Sequence, residues 1–517
     1  MQRVQSFALR GIDALPVEVE CDERCSTERT PDGGDRQPKM VVVGLPDASV
    51  RESCQRVRAA LAASRFPFPR GLCTINLAPA DLRKEGPVYD LPMALSVLRL
   101  QGIVGEDADD RLAHFAVAGE LALDGLVRPI RGATSLAAFA QRAKLRGVVV
   151  PAMNAPEAAV VEGIEVYGVH SLHEAVGFFN RLYDIPRERP PAECPPPFGA
   201  AVDFADVRGQ ESAKRALALA AAGAHNVLLI GPAGSGKTMM ARALPGILPP
   251  LTAAESLDVT RIYSSIGAVP RGAGLIRERP FRAPHHSASS AAIVGGGSTP
   301  RPGEVSLAHH GVLFLDELPE FPRVALECLR EPLEDGFVTI ARANGTIRFP
   351  ARTMLVAAMN PTHAGGFAQS ATERRAQEKY IGRLSGPLLD RVDMHVEVRA
   401  VQFASLQSAR QGASSADLRA RVLDARARME LRQGPGRANA TLGGRELDRF
   451  CTLEGPAQRL LEGAMRDLGL SARAYDRIRR VARTIADLDG ADGVAESHVA
   501  EAVHYRVLDR MRAGEAA

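Results

Sequence analysis

Residues 226–240 read NVLLIGPAGSGKTMM. The run Val227-Leu228-Leu229-Ile230 is short, unbroken and apolar, as in a strand covered on both faces of a parallel sheet. Gly231-Pro232-Ala233-Gly234-Ser235-Gly236-Lys237-Thr238 follows and fits G-x-x-x-x-G-K-[ST]. Residues 239–244 are helix-competent. Glycines let the backbone turn its N–H groups onto a phosphate chain, and the helix N-terminus adds its dipole. The strand before and the helix after favour a nucleotide loop over a chance Gly-rich turn. On this reading residues 231–238 cradle the phosphates of ATP, Lys237 meets the β- and γ-phosphates, and Thr238 ligates Mg2+.

Further along, residues 312–317 read VLFLDE, a second apolar run ending in two carboxylates. Asp316 is placed to complete the Mg2+ shell and Glu317 to polarise an attacking water. A third run, residues 354–359, leads into Asn360-Pro361. Asn360 there either orients water beside the γ-phosphate or caps a turn before the proline. Residues 388–393 read LLDRVD. Arg391 is either a finger supplied to a neighbouring subunit's ATP or a structural partner of Asp390 or Asp393; spacing leaves both open.

Around this α/β core, assigned to residues 199–400, the chain changes character. Residues 184–198, DIPRERPPAECPPPF, are too rich in proline for a helix or sheet interior and read as a semi-stiff linker. Residues 1–183 carry their own signals: a buried strand at 41–44, a helix at 48–63, a strand at 148–151, and a polar flexible loop at 23–39. Beyond about residue 404, β-runs give way to helical spacing at 418–431, 455–468, 472–488 and 496–511, so 401–517 reads as all-α. With 45% apolar and 24% charged residues over 517, the chain is neither disordered nor collagenous. A net charge of +3 excludes a generally basic coat but not a local basic surface. No apolar run is long enough to span a bilayer, and the N-terminus lacks a signal-peptide core, so a cytoplasmic location is expected. The seven cysteines are scattered and read as free thiols; Cys21 and Cys25 lack the second pair of a zinc site.

The order of these elements resembles an AAA+ ATPase, and more closely the Mg-chelatase-like ATPases of the ComM/YifB family. The resemblance rests on Val43-Gly44-Leu45-Pro46-Asp47, on residues 76–86 (NLAPADLRKEG), on residues 279–286 (RPFRAPHH), on Arg301-Pro302-Gly303-Glu304, on residues 316–321 (DELPEF), and on Ala472-Arg473-Ala474-Tyr475. It implies a Lon-protease-like (S5-type) α+β domain at 1–183, an AAA+ P-loop α/β core with chelatase-type inserts, and a C-terminal α-helical lid at 401–517. It implies ATP and Mg2+ as cofactors and a homo-oligomeric ring, commonly a hexamer. It makes Arg391 the trans-acting finger and Arg473 a second sensor on ATP. It places residues 206–210, with Val207 and Gly209, beside the adenine. ComM-type proteins are DNA motors linked to branch migration in natural transformation, so branched or single-stranded DNA is the implied partner, with no membrane. The alternatives are a motor for metal insertion into a porphyrin and a nucleotide-switched scaffold.

Lon-type peptidases place a serine just after Gly-Pro and a lysine in a later segment. Here Val88 follows Gly86-Pro87, and Thr134 stands near the lysine position. Neither supplies a nucleophile with its amine base, so peptidase activity is not expected. Relatives carry a cysteine cluster after the Met-Asn-Pro segment; Thr362-His363-Ala364-Gly365-Gly366 replaces it here, and with it the implied zinc site.

Residues 337–349, FVTIARANGTIRF, alternate as two strands around Asn344-Gly345, a favoured hairpin turn. Arg342 and Arg348 flank the tip. In related motors such a hairpin grips the DNA backbone; solvated arginines on a surface hairpin are the plainer reading. Residues 293–298, IVGGGS, read as a mobile loop, preceded by Arg279, Arg282, His285 and His286. Neither His285-His286 nor His309-His310 makes a good metal site alone. Trp is absent and Tyr is sparse, which disfavours reading single strands by stacked rings.

Overall fold

A computed structural model describes residues 3–24, 39–105, 108–191, 202–270, 272–297, 299–342, 345–362, 375, 377, 379–400 and 412–509. The chain forms two compact units, Met1–Pro197 with Thr252–Arg277, and Phe198–Leu251 with Glu278–Ala517.

The first unit is built on a seven-stranded mixed sheet. Its order is Lys39–Val43, Leu72–Ala78, Asp13–Arg24, Arg3–Arg10, Phe115–Val117, Gly147–Pro151, Glu165–Val169. Arg3–Arg10 and Asp13–Arg24 are an antiparallel hairpin, whereas the strands from Phe115 to Val169 are parallel. Alternation along Gly147–Pro151 sends Val149 into one apolar layer with Leu61, Leu95 and Phe179. It sends Val148 and Val150 into another with Phe7, Leu136 and Ala158. The sheet is therefore covered on both faces. Residues 41–43 do form a strand, but not a buried one: it is the sheet's edge, and Val41 and Val43 are 44% and 42% exposed. Apolar β-branched residues signal a strand without telling centre from edge.

Two sequence boundaries need correction. The helix Ala253–Ser265 falls inside the span assigned to the ATPase core yet folds with the first unit, where Gly132 N–H donates to Ser264 O (2.9 Å) and Leu257 packs into the apolar layer of Leu136. Its capping box, Thr252 with Glu255, starts it independently of the core strands. The described part of the proline-rich segment, 184–191, is tied down: Glu188 N–H donates to Val166 O (2.8 Å) and Arg187 to Ile164 O (2.7 Å), along the edge strand. Residues 192–198, the 25–38 part of the polar loop, Cys25 and Cys194 lie outside the described residues.

The second unit holds a five-stranded, wholly parallel sheet in the order Phe281–Arg282, Val312–Leu315, Met354–Met359, Val227–Ile230, Met394–Glu397. The strand Val227–Ile230 is flanked by the strand leading to Asn360 and by the strand after Arg391. The next neighbour outward ends in Asp316. Helices Glu211–Gly223, Ser415–Gln433 and Ala472–Leu488 share one continuous core with this sheet, in which Val227 and Val356 join Leu217, Val422 and Ile478. The first three C-terminal helices fall close to their spacing. The last, Glu496–His504, stops short of the 496–511 reading. There Tyr505 O accepts His395 N–H (2.7 Å) at the sheet edge, so backbone pairing interrupts the helix at 505–506 before helical geometry resumes at 507–509; residues 510 and 511 lie outside the described residues.

The glycine run is not a free loop. Ser290–Val294 is a short helix, and Gly295–Gly296 pairs antiparallel with Arg301–Pro302. A Cβ at Gly295 would lie 2.4 Å from Arg301 O, so this pairing requires glycine. Ser298 and Asn344 lie outside the described residues. The hairpin is Phe337–Arg342 against Gly345–Pro350. No helix among the described residues is long and apolar enough to cross a membrane.

Candidate active site

Three parallel strands deliver their carboxyl ends to one edge of the second unit's sheet. This is where an open α/β sheet leaves backbone and side chains free for a ligand. After Ile230 the chain enters the loop through Gly231, whose N–H donates to Met359 O (3.2 Å). A Cβ there would sit 2.1 Å from Val398 O, so only glycine lets the loop pass. Gly234 (φ 76°) and Gly236 (φ 90°) take left-handed conformations, with nothing within 4 Å of an added Cβ. Their requirement is conformational, and the space beside them is open.

Lys237 opens the helix Lys237–Ala243 and folds back over the loop. Its Nζ donates to Gly231 O (2.7 Å), Pro232 O (2.8 Å) and Asn360 Oδ1 (3.1 Å). Burial pushes this ammonium below the usual lysine range, against the pull of Asp316. Thr238 Oγ1 donates to Asp316 Oδ2 at 2.7 Å. Two hydrogen bonds thus tie the adjacent Lys237 and Thr238 to residues distant in the chain, Lys237 to Asn360 and Thr238 to Asp316. Ser235 Oγ is buried without a protein partner. The convergence of hydroxyl and carboxylate, the orphaned Ser235 Oγ and the open glycine cradle fit ATP with Mg2+.

Gln210 (φ 62°) extends the site: its Nε2 donates to Ser235 O (3.3 Å) and Arg399 O (2.6 Å). Val207 is buried, and Gly209 (φ 63°) directly precedes Gln210 in the chain.

Glu317 follows Asp316 in a left-handed conformation (φ 52°), and its N–H donates to Asp316 Oδ1 (3.0 Å). Its Oε2 lies 3.1 Å from His286 Nδ1. The His286 ring meets His285 at 4.1 Å and the edge of Phe321 at 6.5 Å. Sequence spacing gives no sign of this pair. Only the pairing of Phe281–Arg282 with Val312–Leu315 brings the two segments together. That pair is partly exposed, whereas His309 is buried and its Nδ1 accepts Arg352 N–H (2.9 Å).

Arg391 pairs with neither Asp390 nor Asp393. Its Nη2 meets Glu334, its Nη1 donates to Pro387 O (2.7 Å), and its Nε is buried without a partner. Asp390 lies 3.7 Å from exposed Arg473, which stands in the first turn of Ala472–Leu488. Asp393 accepts Asn226 N–H (2.9 Å) and lies 3.3 Å from Arg477 and 3.7 Å from His225. Burial opposes its charge, but His225, Arg477 and that amide hold its carboxyl below the usual range. Asn226, unremarked in the sequence, joins three elements: its side chain donates to Arg391 O (3.0 Å) and accepts Leu355 N–H (2.8 Å).

On the hairpin, Arg348 stacks its guanidinium 3.5 Å from the Phe337 ring centroid, while Arg342 is exposed. In the first unit, Val88 is partly buried and apolar, and the Thr134 hydroxyl donates to Glu157 O (3.1 Å). The segment from His363 through Gly366 lies outside the described residues.

Residues 203–406 match the family model for magnesium chelatase, subunit ChlI; residues 31–154 match subunit ChlI of Mg-chelatase, and residues 412–506 its C-terminal part. The chain is 42% identical over 511 residues to the uncharacterised protein YifB of Salmonella typhimurium, covering 98% of this chain and 97% of that one. It is 43% identical over 481 residues to the competence protein ComM of Haemophilus influenzae, covering 92% and 93%. The 38 kDa magnesium-chelatase subunit of Rhodobacter capsulatus is 27% identical over 334 residues, covering 60% of this chain and 87% of that one. With matches to all three chelatase segments and near full-length similarity at this level, the chain belongs to the Mg-chelatase-like ComM/YifB family.

Proposed function

We propose that this chain is a Mg2+-dependent AAA+ ATPase that works as a ring, commonly a hexamer, and drives DNA through it as a ComM-like motor in the cytoplasm. One observation carries the reading: at the carboxyl edge of a parallel sheet the adjacent Lys237 and Thr238 are hydrogen-bonded to Asn360 and to Asp316 respectively. The competence-protein relative supports a ComM-like role, and the chelatase subunit, which aligns with only 60% of this chain, is the weaker guide.

In this mechanism residues 231–238 cradle the triphosphate. Lys237 exchanges the carbonyls of Gly231 and Pro232 for β- and γ-phosphate oxygens. Thr238 and Asp316 hold Mg2+, which when bound draws charge from those oxygens. Val207 and Gly209 border the adenine, and Arg473 senses the nucleotide from the helical lid. Asn360 orients the water and Glu317 accepts its proton as the bond to the leaving ADP breaks. Arg391 of the adjoining subunit neutralises charge developing on the γ-phosphoryl group. Arg342 and Arg348 contact the DNA backbone, without sequence preference. The Lon-like domain, with Val88 and Thr134 where a peptidase needs serine and lysine, engages substrate or supports the ring.

The test is the ATPase rate with and without branched, duplex and single-stranded DNA, alongside Glu317→Gln. The variant should still bind ATP and assemble, with turnover down by about 10²-fold or more. Turnover equal to wild type removes Glu317 from the chemistry. Absence of both DNA binding and stimulation at low salt moves the reading to a porphyrin metal-insertion motor or a nucleotide-switched scaffold.

A further inference from the structure

We propose that Glu334 is a latch that keeps Arg391 within its own subunit until a neighbour's nucleotide takes it. The inference rests on the trans-finger reading above and adds a control to it. A finger that serves another subunit has to leave its own surface, yet the Arg391 side chain is 12% exposed. Both terminal nitrogens are engaged, one by Glu334 and one by Pro387 O, while Nε is buried and unpartnered. This is a parked guanidinium whose hydrogen-bonding capacity is incompletely used, not one settled in a fully satisfied structural network.

Glu334 is suited to release it. Its carboxylate is 58% exposed, so water and salt screen the pair, and a phosphate with more charge and more acceptor oxygens outcompetes a single carboxylate. The pair lines a cleft of about 620 Å³ together with Gly295, Glu331 and Arg342. Glu334 sits on the short helix Arg330–Asp335, which ends at Gly336 (φ 74°) and runs directly into the hairpin strand Phe337–Arg342. Displacement of the hairpin by a bound polyanion therefore acts on the residue that holds the finger. Loading of the pore is in this way coupled to hydrolysis next door.

The test is ATPase activity of the full chain as a function of protein concentration, for wild type, Glu334→Gln, Arg391→Ala and the double variant, with Glu334→Ala as a second release variant. If the latch leaves about one chain in ten competent, Glu334→Gln raises activity without DNA by up to about tenfold and flattens its stimulation by DNA. Glu334→Ala does the same, and the double variant is as inactive as Arg391→Ala. Activity of both Glu334 variants at or below wild type, with Arg391→Ala inactive, overturns the latch and leaves the finger standing. Hydrolysis by Arg391→Ala at the wild-type rate removes the finger, and the latch with it.

Discussion

Gly231 and Gly234 share one loop but are held to glycine by different forces, and substitution should separate them. An alanine Cβ at Gly231 meets Val398 O at 2.1 Å, a backbone atom that cannot turn aside. Gly231→Ala should therefore cost the second unit about 2 kcal/mol or more and lower its melting temperature. At Gly234 the space is open and only φ of 76° resists. Gly234→Ala should cost about 1–2 kcal/mol, with its main effect on ATP affinity, read by nucleotide titration. A larger loss of melting temperature at Gly234 than at Gly231 contradicts this. Much of the loop's geometry was legible, because Gly-x-x-x-x-Gly-Lys-Thr between an apolar strand and a helix declares its backbone path within a few consecutive residues. His286 and Asn226 were not: each acts through a partner distant in the chain, met only once strands pair. The Glu334–Arg391 pair was hidden for the same reason, and the nearer aspartates at 390 and 393 drew attention instead.

Among the elements, the hairpin at 337–350 was readable because β-branched residues alternate on both arms, and its register sets Thr339 against Arg348. The glycine strand at 295–296 was not, since its pairing depends on the lack of side chains and leaves no apolar pattern to read. The hairpin's two arginines should behave differently. Arg342 is exposed and Arg348 is spread over the Phe337 ring. Arg342→Ala should weaken DNA binding evenly across sequences and reduce the slope of log affinity against log salt by about 1, without changing hairpin stability. Arg348→Ala should weaken binding similarly and also destabilise the hairpin by about 0.5–1 kcal/mol through the lost stacking. Anisotropy at several salt concentrations, with thermal melts of both variants, reads this; an unchanged salt slope for both removes the hairpin from the DNA path.

Across the whole molecule, the two units carry buried ionisable groups that respond to pH in opposite directions. In the first unit Glu157 is buried, with Asn154 Nδ2 donating to it at 2.6 Å, and desolvation raises its pKa from 4.5 to about 7. The folded form binds the proton more tightly than the unfolded chain between these values. Its contribution to stability is fully present below 4.5 and is lost as pH rises to 7. In the second unit burial lowers His309 from 6.5 to about 2, aided by the charges of His310 and Arg352. Here the unfolded chain binds the proton more tightly, so this contribution is present above 6.5 and declines as pH falls toward 2. Each group changes stability by at most about 1.4 kcal/mol per pH unit inside its own window. On going from pH 7 to pH 5.5, Glu157 should raise the melting temperature of the first unit while His309 lowers that of the second. Calorimetry of wild type against Glu157→Gln and His309→Gln isolates each group from the other carboxylates. The first variant should flatten the neutral-side slope of one transition and the second the acid-side slope of the other. Parallel curves for wild type and Glu157→Gln between pH 4.5 and 7 would mean that this carboxyl is ionised in the folded unit, held by more than its bond to Asn154.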